Sequence, residues 1–103
     1  MRDVFTVDPM DAGAAEAAEM LKVLSNPSRL RILCALVPGD KTVGELEAAL
    51  NAPQSYVSSQ LARLRGEGLV TFEREGRVKR YRLSDPRVRP VLERLYEVFC
   101  PES

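Results

Sequence analysis

A mainly α-helical fold carrying one β-hairpin is what this 103-residue sequence predicts, and three observations predict it. Apolar residues recur at helical spacing in five separate segments. A tight break at Asn51-Ala52-Pro53 divides two short helical segments in mid-chain. Apolar and polar residues then alternate on either side of Glu75-Gly76-Arg77, the pattern of two strands joined by a turn. The order is helix, turn, helix, wing: a winged helix-turn-helix with five helices.

The elements follow in chain order. Residues 1–10 read as a flexible lead-in, and 11–103 as a single domain. Ala14, Ala17, Ala18, Leu21 and Leu24 place a first helix over Asp11 to Leu24. Its alanine-rich face suits close approach of another helix, either a dimer seam or packing within the chain. Asn26-Pro27 reads as an N-cap with proline at the first helical position. Leu30, Leu33, Cys34 and Val37 form the stripe of that second helix, which ends near Pro38-Gly39. Thr42-Val43-Gly44-Glu45 has the form of a capping box and opens a third helix through Leu46, Ala49 and Leu50. A fourth runs from Gln54 to Arg65 over Val57, Leu61 and Leu64, stopping at Gly66 and Gly68. Val70 and Phe72, then Tyr81 and Leu83, mark the hairpin. Ser84-Asp85-Pro86 caps a last helix with Val88, Val91, Leu92, Leu95 and Phe99 on one stripe, leading to Cys100.

Composition narrows the function classes. No run approaches the roughly 18 apolar residues of a membrane span, and acids stand in Met1 to Asp11 where a signal peptide carries bases, so a cytoplasmic protein is expected. The chain has no histidine, which removes the commonest general base and most transition-metal sites. Two cysteines outside any CxxC pair are too few for an all-cysteine zinc site. No enzyme, cofactor or metal site is expected. Formal net charge is zero, yet the charge is segregated: residues 1–24 hold two basic and five acidic groups, residues 54–82 seven basic and three acidic. A basic segment in a neutral chain fits a local phosphate-facing surface as well as a solvated one.

A recognition helix entering the major groove needs side chains that both donate and accept hydrogen bonds. Gln54, Ser55, Tyr56, Ser58, Ser59 and Gln60 supply them at the start of the fourth helix. Arg63 and Arg65 near its end, with Arg74, Arg77, Lys79 and Arg80 on the hairpin, then fall where phosphates or a minor groove would lie. Double-stranded operator DNA is the expected partner.

Three segments together resemble the ArsR/SmtB family of bacterial sensor repressors. Leu24-Ser25-Asn26-Pro27-Ser28-Arg29-Leu30-Arg31-Ile32-Leu33 resembles its second-helix signature, and Thr42-Val43-Gly44-Glu45-Leu46 the start of its third helix. Gln54-Ser55-Tyr56-Val57-Ser58-Ser59-Gln60-Leu61 resembles its recognition helix, with Gln60 where many members have histidine. The resemblance implies a homodimer formed through the first and last helices and repression relieved by an inducer. Family members commonly sense metals through cysteines on the third helix or Asp, His and Glu on the last. This chain has no cysteine in Val43 to Leu50 and no histidine, so neither site carries over.

Cys34 and Cys100 remain. By position, Cys34 on an apolar stripe reads as a small core residue and Cys100, beside Phe99, as a terminal one. Their placement is similar to the cysteine pair of the persulfide- and sulfide-responsive BigR/SqrR branch. That resemblance implies a redox-sensing pair bridged by sulfane-sulfur species, with Cys100 the more accessible and Cys34 the protected partner. Two other readings stay open: the same fold sensing arsenite or another soft metal through the dithiol, and a winged-helix protein-interaction module without DNA.

Overall fold

The computed structural model describes residues 7–100, in the order α1 (Val7–Leu24), α2 (Pro27–Leu36), β1 (Lys41–Thr42), α3 (Val43–Leu50), α4 (Gln54–Gly66), β2 (Val70–Glu75), β3 (Val78–Leu83) and α5 (Val88–Phe99). All five expected helices and the hairpin are present. α1 begins at Val7, so the last four residues of the expected lead-in are helical and the first six lie outside the described residues. Pro9 tolerates that start because the first N–H groups of a helix have no intrahelical acceptor to lose.

α2 is the central element and touches the other four helices as well as β3. Its N-cap is Asn26, whose side-chain oxygen accepts the Arg29 N–H at 3.1 Å. A helix surrounded in this way buries more than one stripe. Ile32, Leu33 and Leu36 are the fully enclosed residues, while Leu30, Cys34 and Val37 of the expected stripe are only half-buried. Leu46 and Leu50 of α3, Val57, Leu61 and Leu64 of α4, and Val88 and Leu92 of α5 complete one core with Val23, Leu24, Leu69, Val70 and Tyr81. Burial of this apolar surface, at about 25 cal/mol per Å², is what fixes the helices on one another.

Local signals set the boundaries. The capping box at α3 is complete: Glu45 N–H donates to Thr42 Oγ1 at 3.1 Å and Thr42 N–H to Glu45 Oε1 at 2.9 Å. Asn51 ends α3 in the left-handed region at φ 52°, where asparagine is among the few side chains tolerated. β2 and β3 pair in register from Val70↔Leu83 to Glu75↔Val78, and Gly76 makes the turn at φ 66°.

The structure corrects two expectations and places two apolar faces on the outside. β1 adds a two-residue third strand to the wing, pairing Lys41 with Tyr81 and Thr42 with Arg80. Two residues are too short for alternation to reveal. Ser84 and Asp85 shape the turn before α5 rather than capping it: the Ser84 hydroxyl donates to the Gly68 carbonyl, and Asp85 accepts from Arg87. Phe99 lies on the outer end of α5, 74% exposed, because the helix runs past the core there. Ala14, Ala17, Ala18 and Leu21 likewise face outward, and Met20, Val23 and Leu24 dock α1 instead. Among the described residues, no helix is long and apolar enough to cross a membrane.

Candidate nucleic-acid interface and thiol pair

α4 is anchored by Val57, Leu61 and Leu64, which are completely buried, and so presents its opposite face outward. Ser55, Tyr56, Ser59, Ala62 and Arg63 are exposed on that face. Gln54, Ser58, Ala62 and Arg65 run down one edge and form the α4 wall of a groove of about 650 Å³. Val43, Gly44 and Glu47 of α3 and Phe72, Arg77, Val78, Lys79 and Tyr81 of the wing close its other sides. Pro53 caps α4 without a side-chain hydrogen bond, which leaves the first N–H groups of α4 open to an outside acceptor.

Strand alternation sorts the wing into two faces. Phe72 and Tyr81 meet on the groove side, ring centroids 5.2 Å apart and planes tilted by 53°. Over the Phe72 ring lie three cations: Arg65 at 4.6 Å, Lys79 at 4.7 Å and Arg74 at 5.9 Å. The ring's negative face draws together side chains that repel one another, and concentrates positive charge beside α4. The other face is an ion-pair lattice. Arg80 meets Glu75 at 3.2 Å and Glu45 at 3.5 Å; Arg82 meets Glu73 at 2.9 Å and Asp40 at 3.2 Å.

Of the expected contact residues, the structure gathers Gln54, Ser58, Arg77 and Lys79 around the groove. Ser55, Tyr56, Ser59 and Arg63 line the exposed face of α4, and Arg74 joins the cluster on Phe72. Two stand apart. Arg80 is held in acidic pairs on the far face of the wing, and Gln60 lies beside the buried stripe with Oε1 enclosed and unsatisfied. By alternation Phe72 marks only a strand of the hairpin; an aromatic two positions before Arg74 is the sequence signal for its second role.

The thiols sit elsewhere. Cys34 on α2 is half-buried and lines a cavity of about 370 Å³ with Val37, Pro38, Leu92, Glu93, Tyr96 and Glu97. Cys100 is exposed at the C-terminal cap of α5, its N–H donating to the Tyr96 carbonyl at 2.8 Å. Both are reduced. Burial pushes the Cys34 thiol up from its ordinary range, and the nearby charge of Cys100 pushes it further. Among the described residues, no group of three or more His, Cys, Asp or Glu side chains is placed to hold a metal ion.

Comparison with known proteins is decisive for family. The profile described as "Bacterial regulatory protein, arsR family" matches residues 26–71, from the cap of α2 into β2. The biofilm growth-associated repressor of Agrobacterium fabrum is 42% identical over 95 residues, which are 91% of this chain and 81% of that protein. The chain belongs to the ArsR family. The crystal structure of the transcriptional repressor BigR from Xylella fastidiosa superposes on this ArsR protein with a TM-score of 0.88 at 38% identity, covering 93% of this chain and 98% of that one. Reduced HlyU from Vibrio cholerae gives 0.83 at 38% identity over 89% and 97% of the two chains. The chain is accordingly a DNA-binding transcriptional regulator of the ArsR family and not an enzyme.

Proposed function

We propose that this ArsR protein is a cytoplasmic homodimeric repressor that binds operator DNA and releases it when Cys34 and Cys100 are bridged by sulfane-sulfur chemistry. The observation that carries the reading is the pairing of two features in one fold. A groove-lining α4 with a cation-bearing wing faces one way, and α2 and α5 hold two reduced thiols within electrostatic reach of one another. Ser55, Ser58 and Ser59 offer donors and acceptors to base edges, while Arg65, Arg74, Arg77 and Lys79 meet phosphates. Gln60 and Arg80 have structural surroundings and are left out of the contact set.

Exposed Leu21 on α1 and Val98 and Phe99 on α5, with the outward alanines of α1, supply the apolar face of the dimer. A sulfur bridge ties α5, part of that seam, to α2 and so changes the spacing of the two α4 helices. A coupling of about 1–3 kcal/mol corresponds to a roughly 5- to 150-fold loss of operator affinity.

The test is fluorescence anisotropy on duplexes selected from a random library, with reduced protein and with protein treated with an organic trisulfide. Reduced wild type binds selected duplex in preference to random duplex, and treatment abolishes the preference. Cys34→Ser and Cys100→Ser bind equally well and ignore the treatment. Failure to enrich any duplex overturns the DNA reading; a retained response in either serine variant overturns the thiol switch. Release by arsenite with cysteine dependence, and none by trisulfide, reassigns the signal to a soft metal.

A further inference from the structure

The cavity beside Cys34 has a chemical character of its own. Its apolar walls are Val37, Pro38, Leu92 and Tyr96, and among the described residues the charged side chains that line it are Glu93 and Glu97. At 100° per residue along α5, Glu93, Tyr96, Glu97 and Cys100 share one side of the helix, so the second thiol continues the stripe that walls the cavity. On the other side, Val91 packs against the core and Val98 is exposed. Cys34, Val37 and Pro38 form the facing wall at the end of α2.

Both walls are helix C-termini, which carry partial negative charge, and neither last turn contains a basic residue. Two arginines lie close without lining the cavity. Arg94 is held by Glu97 at 2.9 Å, and Arg89 donates to the Val37 carbonyl. Glu93 is in no ion pair among the described residues, so no salt bridge neutralises its charge beside the cavity.

We infer that this cavity receives the organic substituent of the sulfur donor and selects short thiol residues that are uncharged or cationic, rejecting anionic ones through Glu93. The inference rests on the thiol switch proposed above and names its donor class. With an organic trisulfide, R–S–S–S–R, the chemistry balances without another oxidant. The Cys100 thiolate attacks the central sulfur; a new S–S bond forms, an old one breaks, and one R–S⁻ leaves to take up a proton. Cys34, as thiolate, attacks the same sulfur and expels the second R–S⁻. Two cysteine thiols are oxidised by two electrons, the trisulfide is reduced to two R–SH, and one sulfur remains between Cys34 and Cys100. A substituent seated in the cavity holds the donor beside Cys34 and toward the end of α5 that carries Cys100; an anion there meets Glu93.

Three trisulfides of matched length test this: those of cysteamine (cationic), mercaptoethanol (neutral) and mercaptopropionate (anionic). Bridge formation is followed by intact mass, and each rate is divided by that of the same donor with N-acetylcysteine amide to remove intrinsic reactivity. Wild type is expected to prefer the cationic and neutral donors over the anionic one by about fivefold or more, the size of one like-charge contact at a partly solvated site. Glu93→Gln, at an exposed position, removes most of the preference, and Glu93→Lys reverses it. Equal normalised rates for the three donors, or a preference that survives Glu93→Lys, overturns the selectivity while leaving the switch intact. No bridge with any donor overturns the switch, and the selectivity with it.

Discussion

Arginines of identical type on the wing hold different positions because their neighbours differ. Arg77 is exposed at the turn and lines the groove, while Arg80 sits between Glu75 and Glu45, which raise its pKa and occupy its donors. Arg77→Ala is therefore expected to weaken binding to selected and random duplexes alike, lowering the slope of log affinity against log salt by about one. Arg80→Ala is expected to leave that slope unchanged and to lower the thermal midpoint slightly, since exposed ion pairs contribute at most about 1 kcal/mol. Anisotropy at three salt concentrations with a melting curve checks both. A reduced salt slope in Arg80→Ala returns that residue to the DNA surface. Sequence reading placed all the wing cations together because spacing shows only that a residue alternates. Which face meets α3 depends on contacts made across 35 residues of chain, as between Arg80 and Glu45.

Among the elements, α3 depends most on its own sequence. The Thr42–Glu45 box closes both orphan donors, and Glu45 is held below the usual carboxylate range first by the Thr42 backbone N–H and then by Arg80. Asp85 before α5 is lowered likewise, chiefly by Arg87. A carboxylate with a depressed folded pKa adds stability that is complete above its unfolded value, about 4, and fades as pH falls through the folded one. Stability is thus expected to be level from pH 7 to about 5 and to decline below 4. Thr42→Ala costs about 1 kcal/mol at neutral pH, and Glu45→Gln flattens part of the acid decline. Urea midpoints at pH 7, 5 and 3.5 check this; an unchanged decline in Glu45→Gln assigns it to other carboxylates. The box, the Asn26 cap, the Asn51 stop and the Gly76 turn were all legible, because each is satisfied within four residues.

At the scale of the molecule, the apolar residues left outside the core are the surface on which the proposed dimer rests. Leu21, Val98 and Phe99 are more than half exposed. Sedimentation at micromolar concentration is expected to give a dimer. Phe99→Asp is expected to yield folded monomer with weakened DNA binding, since two half-sites are no longer held together. A dimer that survives Phe99→Asp, together with Leu21→Asp, would place the seam elsewhere.

By itself the sequence determined the number and order of helices, the N-caps of α2 and α3, the hairpin turn and the buried face of α4. These follow from periodicity and from hydrogen bonds closed between near neighbours. It also identified the two residues able to do thiol chemistry, by excluding nearly every other reactive type. Tertiary structure decided the rest. It rotated the buried face of α2 toward Ile32, Leu33 and Leu36 because that helix is enclosed by the other four, and it turned the alanine face of α1 and Phe99 outward. It drew Arg65, Arg74 and Lys79 onto one aromatic ring, and brought Cys34 and the acidic side of α5 around one cavity. Each of these joins residues far apart in the chain, and only the packing of one helix on another sets their distance.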